Sequence, residues 1–193
     1  MYYTWGYLKE NVLSKLNLSE EDANQQDFLS RFPYYANEAM TQICSIRPDE
    51  KLFYIVITDT NLNTPITLPD DFVAFNDAPP LYRAEDEQLG REVGDDFVEY
   101  IGYNKVSCKV PGIYHIPYNA RWFFFTKELQ NADVITAPAD VCEAIPSYIV
   151  SQCFKIDDEL KASIYRNEFE MFLSRIDDTS FRRQRKFCIG GGW

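Results

Sequence analysis

Apolar residues recur at helical spacing near both ends of the chain and alternate with polar ones in between. Tyr7, Leu8, Val12, Leu13 and Leu16 predict a first helix over 4–17, with Thr4 as its N-cap. Asn17–Asp22 is a polar connector in which Ser19 can start a short turn. Phe28, Phe32, Tyr35, Ala36, Ala39, Met40 and Ile43 mark the buried stripe of a second helix over 27–44. Pro33 lies near its start, where proline is tolerated or bends the helix, and Arg47-Pro48-Asp49 ends it. The last helical region spans 140–176 and reads as two helices broken near Ile156-Asp157-Asp158. Asp140 and Glu143 have capping-box spacing. Pro146 predicts either a kink or a main helix starting at Ile145 or Pro146. Asp157 and Asp158 suit the start of the fourth helix, at the positive end of its dipole. Leu160, Ile164, Phe169, Phe172, Leu173 and Ile176 form its apolar face, and Asp177-Asp178-Thr179 is the expected stop.

The middle of the chain carries period-two signals. Leu52–Thr58 is rich in β-branched and aromatic residues, as a strand requires. Ile66–Val73 reads as a short strand followed by a proline turn. The acid-rich run Glu85–Asp96, with Gly90 and Gly94, predicts an exposed loop. Segments 96–103, 105–110, 112–118 and 121–126 follow, with turn signals at Asn104, Pro111-Gly112 and Tyr118-Asn119. That pattern predicts a β-meander. The expected fold is α+β: a mainly helical core of about four helices, a β-meander insert and an extended C-terminal tail. A single domain over 1–180, with a β-rich insert at 52–135, is followed by an arm at 181–193. Both ends carry amphipathic stripes that need partners, so Ile43, Ile149, Phe169 and Phe172 should be buried.

Length and composition narrow the function classes. A chain of 193 residues with 46% hydrophobic residues can bury a real core. The net charge of −11 makes it a poor general binder of nucleic acid, whose phosphates are held by Lys and Arg. Five cysteines, none at CxxC spacing, read as small buried hydrophobes in a reducing compartment. The N-terminus opens Met1-Tyr-Tyr-Thr-Trp without a basic-then-apolar run, so no secretory leader is expected. No apolar stretch approaches membrane-span length, neither Leu52–Ile57 nor Trp122–Phe125.

Catalytic chemistry finds no constellation. The single histidine, His115, lies in the alternating segment Ile113–Pro117. A lone strand histidine without ligand spacing suits neither a catalyst nor a zinc site. No GxGxxG, Walker loop or GxSxG occurs. The paired acids at 20–21, 70–71, 95–96, 157–158 and 177–178 include some placed to cap helices or turns. The expected reading is no enzyme, no cofactor and no metal.

The tail breaks the acidic balance. Arg182, Arg183, Arg185 and Lys186 put four positive charges into five residues, between Phe181 and Phe187, and Trp193 follows three glycines. A solubilising end, a nucleic-acid contact and an arm docking on an acidic protein surface all fit the basic run. The aromatic residues favour docking, because Trp and Arg are preferred interface anchors. Phe181, Arg182, Arg183, Arg185, Lys186, Phe187 and Trp193 are therefore the candidate binding residues.

Three segments in order carry a resemblance. Tyr34-Tyr35-Ala36-Asn37-Glu38-Ala39-Met40 to Ile43 looks like an Asn-Glu-Ala helix, Ile66–Phe72 like a strand before an insert, and Ile145–Gln152, Asp157-Asp158 and Tyr165–Glu170 like paired C-terminal helices. In this order the chain resembles the head-to-tail adaptor, or connector ring, proteins of tailed bacteriophages. The β-rich insert is longer than in minimal adaptors. The resemblance implies a virion neck protein, made in the host cytoplasm, that forms a ring of neighbouring copies, commonly a dodecamer, under the portal protein. It implies a ring that extends the DNA channel without specific DNA binding, offers a platform to tail or further neck proteins, and touches no membrane. The arm would then meet the portal or an adjacent subunit. The acidic loop would be a candidate for the channel wall. The rival readings are a stopper-type or other tail-completion protein, or an α+β interaction domain.

Overall fold

A computed structural model describes residues 2–25, 27–78, 80–83, 91–94, 96–155 and 157–184. The fold is α+β. The chain divides into two compact units, Met1–Arg47 with Trp122–Trp193, and Pro48–Arg121. The expectation of one domain over 1–180 with an insert at 52–135 therefore meets a two-unit chain whose β-rich unit has earlier bounds. Residues 122–135 belong to the helical unit.

The helical unit contains α1 (Trp5–Leu16), α2 (Glu20–Gln25), α3 (Phe28–Ile46), α4 (Ala139–Phe154) and α5 (Glu159–Gln184). Thr4 caps α1 by accepting from the Tyr7 amide, and Asn17 closes it in a left-handed conformation. The short turn expected at Ser19 is α2. It opens with a reciprocal cap, in which the Ser19 hydroxyl accepts from the Asp22 amide and the Asp22 carboxylate accepts from the Ser19 amide.

α4 is the centre of the unit and packs on α1, α3 and α5. It is buried on nearly every side, from Val141 to Cys153, as a helix apolar around its whole circumference must be. Its two buried serines are satisfied: Ser151 donates to the Tyr148 carbonyl and Ser147 accepts from Lys15. Ile43, Ile149 and Phe169 are fully buried, whereas Phe172 is half-buried against the same core.

Three helix details depart from the sequence reading. α4 begins at Ala139 and runs through Pro146, so the main helix does not start there. Asp140 is not an N-cap; it lies in the first turn with its carboxylate on Arg47, and Glu143 accepts from the Tyr3 hydroxyl. Asp177-Asp178-Thr179 does not stop α5, which continues to Gln184. Asp and Thr are only weak breakers, and no proline or glycine intervenes before Gly190.

The β-rich unit contains β1 (Asp49–Ile57), β2 (Ile66–Thr67), β3 (Phe72–Phe75), β4 (Leu81–Arg83), β5 (Arg91–Glu92), β6 (Val98–Ile101), β7 (Lys105–Cys108) and β8 (Gly112–Ala120). It is not a meander. One sheet runs β1-β8-β4-β5 with β3 also on β8, and the other runs β2-β7-β6. The hairpin β6-β7 forms, but the Pro111-Gly112 turn then carries the chain to the other sheet. The turn expected at Tyr118-Asn119 is absent, because β8 is paired on both sides there: Asn119 sits opposite Glu50 of β1 and Ala74 of β3. The strand expected at 121–126 is also absent; Trp122–Thr126 is irregular. Ile55, Ile57, Tyr114 and Ile116 from one sheet share an apolar cluster with Val98, Val106 and Cys108 from the other.

Candidate functional site

The segments that join helices by extended backbone carry the most specific polar contacts. Asn37, on α3, accepts from the Phe125 amide at 2.9 Å and donates to the Phe125 carbonyl at 2.7 Å. A side-chain amide thus replaces a strand partner for the strap that follows the β-rich unit. Further along, residues 131–135 lie beside the start of α1. The amides of Trp5 and Gly6 donate to the carbonyls of Asp133 and Asn131, and Ile135 donates to the Tyr3 carbonyl. A Cβ on Gly6 would stand 2.8 Å from the Asn131 oxygen, so only glycine allows this approach.

Arg47 and Trp122, the helical unit's residues at the two junctions with the β-rich unit, meet directly. The Trp122 indole donates to the Arg47 carbonyl at 2.9 Å, and the Arg47 guanidinium lies over the Trp122 ring. The same guanidinium forks onto Asp140 with contacts of 2.7 and 2.8 Å. The Arg47 hydrogen bond, ahead of the charge itself, holds the Asp140 carboxyl below its ordinary range.

The chemically reactive side chains are placed as structural ones. His115 is half-buried on β8, edge-on to the ring of Tyr54 in the neighbouring strand. Cys108, Cys142 and Cys153 are free thiols and buried, and Cys44 is buried too. Burial pushes the Cys108 thiol up to about 11 and the Cys142 and Cys153 thiols up to about 12, the reverse of nucleophile activation. Among the described residues no group of three or more His, Cys, Asp or Glu is placed to hold a metal ion.

What the described surface offers instead is contact area. β1 is an edge strand, and Leu52, Tyr54 and Val56 are exposed on one of its faces. On α5, Leu160, Ile164 and Met171 are exposed. A cavity of about 310 Å³ opens where α1 ends and α4 turns into α5. Leu16, Leu18, Phe28, Cys153 and Phe154 give it apolar walls, and Asp157, Asp158 and Lys161 stand at its polar side. Sequence reading identified the break at Asp157-Asp158 but not the cavity, whose walls come from residues more than a hundred positions apart.

The candidate arm is only partly visible. Phe181, Arg182 and Arg183 belong to the last turns of α5. Arg185, Lys186, Phe187 and Trp193 lie outside the described residues, as does most of the acidic loop, residues 84–90 and 95. Among the described residues, no helix is long and apolar enough to cross a membrane. No protein-family model matches the chain, and no curated protein sequence matches it.

Proposed function

We propose that this chain is a structural protein of a tailed-bacteriophage neck: a head-to-tail adaptor that assembles as a ring on the portal, prolongs the DNA channel and presents a platform for tail components. The observation that carries the reading is the order in which the molecule is built. An N-terminal helical segment and a C-terminal helix pair close on each other around α4, and a separate β-rich unit is inserted between them. This is the element order on which the resemblance to connector-ring proteins rests.

Two further features support it. The exposed apolar residues of α5 and β1 need cover in an assembly. The 30 acidic residues all lie before residue 181, against 15 basic ones there, so a ring of such chains would present DNA with a surface that repels its phosphates. Heterologous contacts between identical acidic bodies close into a ring when their rotation divides a full turn.

The test is reconstitution. Purified chain is mixed with portal-bearing capsids that lack neck proteins, and the particles are imaged by negative-stain electron microscopy. The expected result is an added ring of density at one vertex. Particles that bind the chain only after a different adaptor has been added would move it to the stopper position, and particles that never bind it would overturn the proposal.

A further inference from the structure

The cavity beside the α4–α5 turn has a composition that matches one segment of this chain. Its lining is divided about equally between apolar and polar surface, and Leu16, Leu18, Phe28, Cys153 and Phe154 supply the apolar side chains. Its polar side carries Asp157 and Asp158, and the acidic first turn of α2, Glu20 to Asp22, begins two residues beyond Leu18. Among the described residues Lys161 is the one cation lining it, and it is already engaged. Its ammonium lies 3.3 Å from Asp158 and over the Phe154 ring. Asp157 is exposed, with no ion-pair partner among the described residues. At about 310 Å³ the cavity is at the small end of ligand pockets. It is too small for a helix and large enough for one aromatic ring.

The sequence Arg185-Lys186-Phe187 offers an aromatic ring directly preceded by two cations. We infer that this cavity receives Phe187 from a second copy of the chain, with Arg185 and Lys186 against Asp157 and the neighbouring acids. The inference deepens the ring reading of the previous subsection by naming the contact between subunits.

The geometry rules out the same copy. The cavity lies at the start of α5 and the arm leaves from its end. Lys161 and Gln184 are separated by about 35 Å of helix at 1.5 Å per residue. Phe187 follows Gln184 by three residues, which at full extension span about 11 Å. Phe187 therefore cannot return to its own cavity, and the occupant must come from another molecule. Such a contact is head-to-tail by construction, since the donating and receiving surfaces differ.

The test uses the full-length chain and a fluorescein-labelled peptide of residues 181–193. Fluorescence anisotropy measures affinity, and amide shifts in the isotope-labelled chain locate the site. Saturable binding is expected, with shifts confined to residues around 16–28 and 153–161. A peptide carrying Phe187→Ala should bind roughly tenfold or more weakly, the loss typical of a buried aromatic anchor. Because Asp157 is exposed, Asp157→Lys should leave the fold intact, weaken the unaltered peptide severalfold and flatten its salt dependence. Absence of saturable binding, shifts elsewhere on the surface, or equal affinity of the Phe187→Ala peptide would each overturn the inference. None of these readouts needs the portal, so they stand or fall separately from the capsid experiment.

Discussion

At the scale of single residues, two positions hold backbone or charge in a way that substitution should expose. Gly6 lets the 131–135 segment lie against the start of α1. In Gly6→Ala the new methyl meets a backbone oxygen at 2.8 Å, and either the strap or the helix start must shift. The expected cost is about 1–3 kcal/mol, as for other overpacking changes. At about 2–4 °C of Tm per kcal/mol for a chain of this size, thermal denaturation followed by circular dichroism would show it. Unchanged Tm would mean that the strap is not held there. The Arg47–Asp140 pair gives a pH dependence. The Asp140 carboxyl is lowered in the folded state from its ordinary 3.8, so the pair's contribution is present above that value and fades as pH falls through the lower folded one. Solvent reaches Asp140 and screens the pair, so Asp140→Asn should cost only about 1 kcal/mol at neutral pH. Urea denaturation from pH 7 to pH 3 should show the two proteins converging at the acid end. A difference that stays constant would assign the effect to packing and not to charge.

At the scale of elements, α4 is the test of cooperativity. Cys142 and Cys153 lie near its two ends, buried and with their thiols pushed up to about 12. Thiolate is the reacting species, so iodoacetamide at pH 8 should modify neither in the native protein and both in denaturant, as read by peptide mass spectrometry. Rapid labelling of Cys153 alone would show that the end of α4 beside the cavity opens without the rest. How much of these elements was legible in sequence follows from how local their causes are. α1 and α3 are amphipathic over several turns, α1 with a capping Thr4 as well, and their stripes identified them. The Asp157-Asp158 break was legible because Asp158 caps α5 through the Lys161 amide. The β-rich unit was misread because Pro111-Gly112 signals a change of direction without saying which sheet the chain joins next. Tyr118-Asn119 looks like a turn until β1 and β3 are both placed beside it. Asp140 looked like a cap because its partner, Arg47, lies 93 positions away.

At the scale of the whole molecule, charge and shape divide the labour by position along the chain. Acid dominates everything before residue 181, and the basic, aromatic arm follows. The composition pointed to the arm, whereas the cavity proposed to receive it could not be read locally, since that cavity exists only once Leu16, Phe28 and Phe154 have been brought together. The four described cysteines and the histidine, which a search for chemistry selects first, are packed as ordinary core and sheet residues.

The clasp between Arg47 and Trp122 has a consequence for synthesis on the ribosome. α1 and α3 bury their apolar stripes against α4, which is translated only after the whole of the β-rich unit. The interrupting unit contains all the strands of both its sheets and its own apolar cluster, so it can finish while the first helices are still waiting for their partner. The helices made before the β-rich unit are thus secured only after it. Residues 1–47 must be kept from straying until Trp122 emerges to fasten the two junctions and α4 follows to cover them.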